Sequence, residues 1–417
     1  MGQLRRFTIE RAQKGAALLL MLLLFIIAFS TYMVSSLSAT QPEVQRQQKT
    51  METLMYAKEA LIAWPVLQGN FGKDTYHRPG SLPCPDNNHK GAVDSGNESG
   101  TCASGGSSIG RFPWKSFGIE ELGDANGEML WYAVSDNFRK TNMNKKPINS
   151  DAQGNLLLYA ADGITLLTPP GEELVAIIFS PGPPLSGQNR SSAPNDASSY
   201  LDNGNGRNNV LAGGPFIAGP ALNAQGNIVV NDQVIGIGAQ ELIAAVEKLV
   251  LNEAQKALNQ FALNPANGGK YPNPARFDDP ECNTIIVDVR SPNVCSSDSS
   301  TCIGRLPEDS GDTTKLGSYL PDWFLQNGWG RVITYAVNSG SVVDSSGANC
   351  SSPLKVDGQD KTYVIIAPGM ARNGQVRPST TLSNYLEDAA NSDAWTSLDV
   401  NFVTPGSNSN DQLRSSP

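Results

Sequence analysis

The chain has 417 residues, a formal net charge of −9 and six cysteines. A single core seldom exceeds about 250 to 300 residues, so this length predicts two or three domains. The acidic balance, without a basic run, argues against nucleic acid as a partner. An even cysteine count with no Cys-x-x-Cys pair favours disulfides and gives little support to a zinc site.

An uncharged apolar stretch follows a short basic leader. No charged residue occurs from Ala16 to Pro42, and residues 16–37 are mostly apolar. At about 1.5 Å of rise per residue these positions reach roughly 33 Å, enough to cross a bilayer core of about 30 Å. The basic residues before the stretch predict a cytoplasmic N-terminus and export of the chain after Ser38. Three interpretations of this stretch compete: a cleaved secretory signal, a plain membrane anchor, and a third that depends on the residue before the stretch.

The third interpretation starts from Gly15, which lies directly against the apolar stretch. A glycine at this boundary resembles the cleavage site of type IV prepilins and pseudopilins. The resemblance implies that a membrane peptidase cuts after Gly15 and methylates Ala16, and that the apolar helix then packs against other pilins. Leu20 stands where most pilins carry a glutamate, a departure found mostly in minor subunits such as tip pseudopilins. Alternatively, Leu20 belongs to an ordinary anchor.

The segment after Pro42 shows the periodicity of an amphipathic helix that continues to Trp64. Because Pro65 follows, we expect one long helix over 16–64 whose second half packs on a globular head. A stalk helix that packs on nothing special is the alternative. The apolar stripe consists of Val44, Met51, Leu54, Met55, Leu61 and Ile62.

Strand patterns dominate the middle of the chain. Residues 124–134 predict a turn and a strand, 173–179 predict a buried strand, and 156–159 with 163–167 predict a further pair. The Asn-, Ser- and Gly-rich segment 186–214 predicts a long surface loop.

Several of these motifs return later in the chain in the same order, which indicates an internal duplication. A helical pattern over 240–262 would then open the second copy. Its predicted apolar face consists of Leu242, Val246, Leu249, Val250, Ala254, Ala257, Leu258 and Phe261. The recurring segments are Ile109–Pro113 with Ile303–Pro307, Gly127–Val134 with Gly330–Val337, Val175–Gly182 with Tyr363–Gly369, Gly187–Arg190 with Gly374–Arg377, and Tyr200–Asp202 with Tyr385–Glu387.

A helix with Ala-Lys-Glu-Ala-Leu-Ile, then Leu-Pro-Cys-Pro-Asp, Gly-Arg-Phe-Pro and Tyr-Ala-Val, resembles large prepilin-like proteins of Gram-negative bacteria. The resemblance implies an α+β fold with a long N-terminal membrane-spanning helix and two tandem pilin-like heads. Each head would be a helix packed on an antiparallel β-sheet with long loops. The expected domains are a leader (1–15), the transmembrane part of the helix (16–37), the first head (38–235), the second head (236–405) and a disordered tail (406–417).

The implied function is that of a minor pilin or pseudopilin, a structural subunit of a type IV pilus or type II secretion-like filament, at the tip or in the initiation complex. Its partners would be other pilins, a prepilin peptidase and the inner-membrane assembly platform, with the heads in the periplasm. A membrane-anchored adhesin or binding module outside any pilus system is the alternative from another class. An anchored hydrolase would need a clustered His, Ser or acid site, and the chain has only two histidines, both in polar segments. We therefore expect no enzyme activity.

The two copies suggest how the cysteines pair. Cys102 and Cys295 precede the two Ile-Gly-Arg motifs by similar distances, and Cys84 matches Cys282 by order. This predicts Cys84–Cys102 and Cys282–Cys295 and leaves Cys302 with Cys350, although four cysteines in the second copy allow three pairings. No cofactor is expected. Calcium binding is left as an open question: residues 86–91 faintly resemble a calcium-binding loop, although they do not match the EF-hand pattern.

Overall fold

The computed structural model describes residue 26 and residues 43–67, 78–100, 102, 106–140, 147–283, 295–347, 353–372, 374–398 and 400–417. The chain divides into two units, Met1–Glu52 and Thr53–Pro417. In the first unit residues 43–52 are helical. In the second unit residues 53–67 form a helix, called α1. We use copy 1 for residues 53–238 and copy 2 for residues 239–417.

Copy 1 is built on a four-stranded sheet with a layer of short strands on one face. Its strands in chain order are β1 (Ser108–Arg111), β2 (Trp131–Val134), β3 (Leu158–Tyr159), β4 (Leu174–Ser180), β5 (Asn203–Gly204), β6 (Arg207–Asn208), β7 (Phe216–Ile217), β8 (Ala221–Leu222), β9 (Ile228–Val230) and β10 (Gln233–Gly238). The main sheet has the order β1-β2-β4-β10, and all its pairs are antiparallel. In the covering layer β3 pairs with β7 in parallel.

Copy 2 repeats this plan. Its elements are α2 (Ala239–Leu263), β11 (Ile303–Arg305), α3 (Asp322–Gln326), α4 (Trp329–Val332), β12 (Thr334–Val337), β13 (Lys355–Val356), β14 (Gln359–Asp360), β15 (Tyr363–Ala367), α5 (Ala389–Ser392), α6 (Ala394–Ser397), β16 (Asn401–Phe402) and β17 (Gln412–Ser415). The main sheet has the antiparallel order β11-β12-β15-β17. Here β13 pairs with β16 in parallel, as β3 does with β7.

The recurring motifs occupy matching places in the two sheets. Gly110 in β1 and Gly304 in β11 each lie under a crossing segment, where an added Cβ would meet the carbonyl oxygen of Asp86 or Ala275. The crossing segments also pair by backbone hydrogen bonds with Arg111 and Arg305. Glycine is therefore required at both positions because the backbones approach too closely for a side chain.

Each copy buries an arginine that stacks on a tyrosine. The Arg111 guanidinium lies 4.5 Å from the Tyr200 ring centre, and Arg190 covers the same ring at 4.9 Å. In copy 2, Arg305 and Arg377 lie 4.9 and 4.8 Å from the Tyr385 ring centre. The Gly-Arg, Gly-Gln-x-Arg and Tyr-Leu motifs thus meet in one cation–π sandwich per copy.

Helix α2 belongs to two cores. Its first turn contributes Leu242 and Ile243 to the core that α1 and the sheet of copy 1 share. The following turns, from Val246 to Phe261, lie in the core of copy 2. Because β10 ends at Gly238 and α2 begins at Ala239, the two copies join without a linker.

The predicted fold class is wrong as stated. The described residues form a mixed α/β structure with two four-stranded sheets, one three-stranded sheet and three two-stranded sheets, some of them with parallel pairs. Segment 186–214, predicted as a loop, contributes short strands to this layer, because its buried Tyr200 and Leu201 pack on the sheet. None of the described helices is long and apolar enough to cross a membrane. Apart from Ile26, the predicted transmembrane segment 16–37 lies outside the described residues.

Three finer expectations also fail. The predicted disordered tail contains β17, which pairs with β15 and completes the second sheet. The predicted boundary at 235/236 falls inside β10. On the first helix, the structure buries Leu54 and Leu61 but leaves predicted stripe residues, such as Met55, exposed. The reason is that a single sheet face covers only one narrow side of this helix.

Candidate functional site

Copy 1 exposes a set of apolar side chains on its covering layer. They lie on the hairpin after β3 and on the β8–β9 hairpin. Asn205 holds these two hairpins together: its Nδ2 donates to Ala161 O at 2.8 Å and to Leu222 O at 3.2 Å. We call this the apolar surface, and its members are Ile164, Leu166, Leu167, Leu222 and Ile228, whose exposed fractions run from 38% to 81%.

The apolar surface is almost free of charge. In 159–167 and 221–230 the one charged side chain is Asp162. From the neighbouring β6, Arg207 stacks on the Tyr159 ring and donates from Nε to Gly163 O at 2.8 Å. Hydrogen bonds from the Thr165 hydroxyl and from the backbone of Ile164 and Thr165 hold the pKa of Asp162 below its usual value. Its carboxylate is therefore occupied by its own turn. A contiguous exposed apolar patch is a candidate contact surface.

Copy 2 lacks this surface although it has the matching hairpin. Both hairpins turn at Asp-Gly, Asp162-Gly163 in copy 1 and Asp357-Gly358 in copy 2. The residue after the turn is Ile164 in copy 1 and Gln359 in copy 2. In the chain the β8–β9 hairpin comes between β7 and β10, whereas the matching segment of copy 2, between β16 and β17, contains no strands. Among the described residues, the apolar surface therefore belongs to copy 1.

A cavity of about 390 Å³ opens beside the apolar surface, between the two copies. Its apolar wall consists of Leu158, Leu167, Leu174 and Met370, and Glu172, Gln240 and Arg372 supply polar groups. Leu167 belongs to both the apolar surface and the cavity, so the two are continuous. This volume is within the range of pockets that hold small ligands or single side chains.

No known protein family, curated protein or solved structure matches this chain.

The predicted cysteine pairs Cys84–Cys102 and Cys282–Cys295 are both present as disulfides. Cys302 is also disulfide-bonded, and its expected partner Cys350 lies outside the described residues. The matching of Cys84 with Cys282 is wrong, however. The Tyr132 hydroxyl donates to Pro83 O, and the Tyr335 hydroxyl donates to Pro272 O. The position that corresponds to Cys84 is therefore Asn273, and the bridges arose at different places in the two copies.

The remaining predictions concern the cleavage site and the calcium loop. Gly15, Ala16 and Leu20 lie outside the described residues. The Asp86 carboxylate accepts hydrogen bonds from Asn88 and from Gly96 N, so local donors occupy the first position of the suggested calcium loop. Within the described ranges no group of three His, Cys, Asp or Glu side chains could hold a metal ion.

Sequence reasoning missed a set of buried acids. Glu247 on α2 is fully buried and accepts hydrogen bonds from Ser150 Oγ at 2.6 Å and Gly369 N at 2.9 Å. Burial raises its pKa to about 7. Glu308 is buried beside Arg331, and burial raises its pKa to about 7 as well. The signal for Glu247 was its place between Val246 and Val250 on the apolar face of the predicted helix.

Proposed function

We propose that this chain is an exported structural subunit that binds protein partners, of the minor pilin or pseudopilin type, at the tip or in the initiation complex of a filament. The observation that carries the proposal is the apolar surface of copy 1, which has no counterpart on the matching hairpin of copy 2, where Gln359 stands in place of Ile164. A subunit at the end of an assembly needs one specific contact face, and duplicated heads that differ in this one surface fit that need.

The N-terminal sequence supports the filament assignment. Gly15 follows a basic leader and precedes an apolar run, and Leu20 stands where a glutamate would pair with the amine of a neighbouring subunit. A subunit without such a neighbour has no amine to neutralise, and a buried unpaired carboxylate would cost several kcal/mol. The disulfides agree with an oxidising compartment. The localisation that belongs to this proposal is the inner membrane, with both copies on the periplasmic side.

A second candidate is an adhesin or binding module that acts outside a pilus system. The cavity of about 390 Å³ beside the apolar surface favours it, since a cavity of this size can bind a ligand without any filament. Processing separates the two candidates, because an adhesin outside a pilus machine has no need of prepilin cleavage.

The first experiment measures the intact mass after co-expression with a prepilin peptidase. We expect loss of residues 1–15 and methylation of Ala16, and we expect Gly15→Leu to block the cut. A retained Met1, or a cut near Ala39, would exclude the pilin assignment.

The second experiment tests the apolar surface. The double variant Ile164→Ser/Leu222→Ser should fold with an unchanged circular dichroism spectrum and fail to enter filaments or partner complexes. The matched control is Val93→Ser, which changes an equally apolar residue that is 93% exposed in another loop of copy 1. Equal incorporation of both variants would show that the apolar surface is not the contact face.

A further inference from the structure

Two acidic side chains lie together, largely buried, at the same place in each copy. In copy 2, Asn410 N donates to Glu387 Oε2 at 3.2 Å, and Glu387 N donates to Asp411 Oδ2 at 3.2 Å. Gln375 Nε2 also donates to Glu387 Oε1 at 3.1 Å. In copy 1 the matching bonds are Asn231 N to Asp202 Oδ2, Asp202 N to Asp232 Oδ2, and Gln188 Nε2 to Asp202 Oδ1.

One oxygen in each pair has no donor. Asp411 Oδ1 and Asp232 Oδ1 are buried and have no hydrogen-bond partner. A buried carboxylate oxygen next to a second carboxylate is strongly unfavourable unless a proton lies on one of the two groups. Burial and then the neighbouring Glu387 charge raise the pKa of Asp411 to about 8. Burial and then Asp202 likewise raise the pKa of Asp232 well above its usual value.

Nearby charged groups do not neutralise the pair in copy 2. Arg377, on the segment after β15, donates to Gly369 O and to Gln375 Oε1. Arg372, on the same segment, donates to Asn408 O. From α2, the acid Glu247 accepts a hydrogen bond from Gln412. Among the ion pairs of the described residues, none involves Glu387 or Asp411, so a proton is the remaining source of neutralisation.

The pair lies where the last strand enters the sheet. Glu387 belongs to the Tyr-Leu-acid motif whose tyrosine stacks between the two arginines. Asp411 directly precedes β17, an edge strand that pairs with β15. We propose that Glu387 and Asp411 form a proton-dependent latch: one shared proton holds the start of β17, and its loss frees this strand and uncovers the edge of β15.

The direction of the pH effect follows from linkage. When β17 is detached, Asp411 has an ordinary pKa and is ionised above about pH 4. When β17 is paired with β15, Asp411 keeps its proton up to about pH 8. Between these values opening releases a proton. The opening constant of β17 should therefore rise about tenfold per pH unit up to about pH 8 and then level off.

The test is hydrogen exchange of the β17 amides from pH 5 to pH 9, expressed as protection factors corrected for intrinsic exchange. It is run in the full chain and in Glu247→Gln, which removes the other titrating carboxyl that contacts β17. We expect protection in the Glu247→Gln protein to fall about tenfold per pH unit up to about pH 8. Asp411→Asn in the Glu247→Gln protein, which has no proton to lose at either position, should show constant protection.

The matched control is Asp232→Asn in copy 1, which should leave the pH dependence of β17 unchanged. If Asp411→Asn does not fold, Glu387→Gln provides a second test. Removing the neighbouring charge lowers the pKa of Asp411, so the pH at which the protection of β17 levels off should fall by a pH unit or more. The latch is disproved if protection in the Glu247→Gln protein does not change with pH, or if Asp411→Asn keeps the same slope.

Discussion

The substitution Glu247→Gln should reverse its effect on stability with pH. Burial raises the Glu247 pKa from 4.5 to about 7. At about 1.4 kcal/mol per pKa unit, ionising this buried group costs the folded state about 3 kcal/mol above pH 7 and nothing below about pH 4.5. The contribution of Glu247 to the free energy of unfolding is therefore largest in acid and falls as the pH rises from about 4.5 to 7.

Glutamine at position 247 cannot ionise, so the variant avoids this cost, but it loses one hydrogen bond. Its Oε1 can still accept from Ser150 and Gly369, whereas an amide nitrogen would face Gln412 Nε2, which now donates to Glu247 Oε2 at 3.2 Å. The lost hydrogen bond costs about 1 kcal/mol. The variant should therefore be about 1 kcal/mol less stable than the unmodified protein at pH 4.5 and about 2 kcal/mol more stable at pH 8.

Urea unfolding at half-unit steps from pH 4.5 to 8.5 measures this difference. Glu253→Gln is the control, since Glu253 lies on the same helix, partly exposed, beside Lys256. That exposed pair should contribute no more than about 0.5 kcal/mol at any pH. A difference between Glu247→Gln and the unmodified protein that stays constant with pH would refute the reasoning.

Two further predictions concern the framework. Gly304→Ala should destabilise by about 3 kcal/mol or more, because the new methyl group would overlap Ala275 O, whereas Gly340→Ala, with nothing nearer than 3.5 Å, should change the thermal midpoint little. Equal midpoints for the two variants would contradict the close approach. Cys84→Ser/Cys102→Ser should cost roughly 3 kcal/mol, since the bridge closes 18 residues in the unfolded chain. Denaturant unfolding under non-reducing conditions measures this loss, and an unchanged midpoint would argue against a stabilising role for the bridge.

The strands of the main sheets were predictable because each is a short β-rich segment next to a turn residue. Leu174–Ser180 and Tyr363–Ala367 are examples, and their repetition made the match reliable. Helix α2 was predictable from its helical periodicity. One residue of the predicted apolar face, Leu249, is only half-buried, whereas Ile243, which was not predicted to face the core, is buried. The reason is that the first turn of α2 also packs on copy 1, which its own periodicity cannot show.

The acidic pairs could not be predicted. Asp202 and Asp232 lie in two separate recurring motifs, and nothing in either motif indicates that the two carboxylates meet. They meet because the Tyr-Leu-acid turn and the segment before β10 converge on the same end of the sheet. The Asn-Asp-Gln sequence at 231–233 does recur at 410–412, and this repeat was the available signal.

The direct passage from β10 into α2 makes the second helix a rigid joint between the copies. Its 25 residues extend over roughly 37 Å, and its ends are anchored in two different cores. A pull applied to one copy would be transmitted along this rod, with no flexible joint between the copies to absorb it. Buried hydrogen bonds reinforce this joint, because Asn149 Nδ2 of copy 1 donates to Asn327 O of copy 2 and Ser150 Oγ of copy 1 donates to Glu247 on α2.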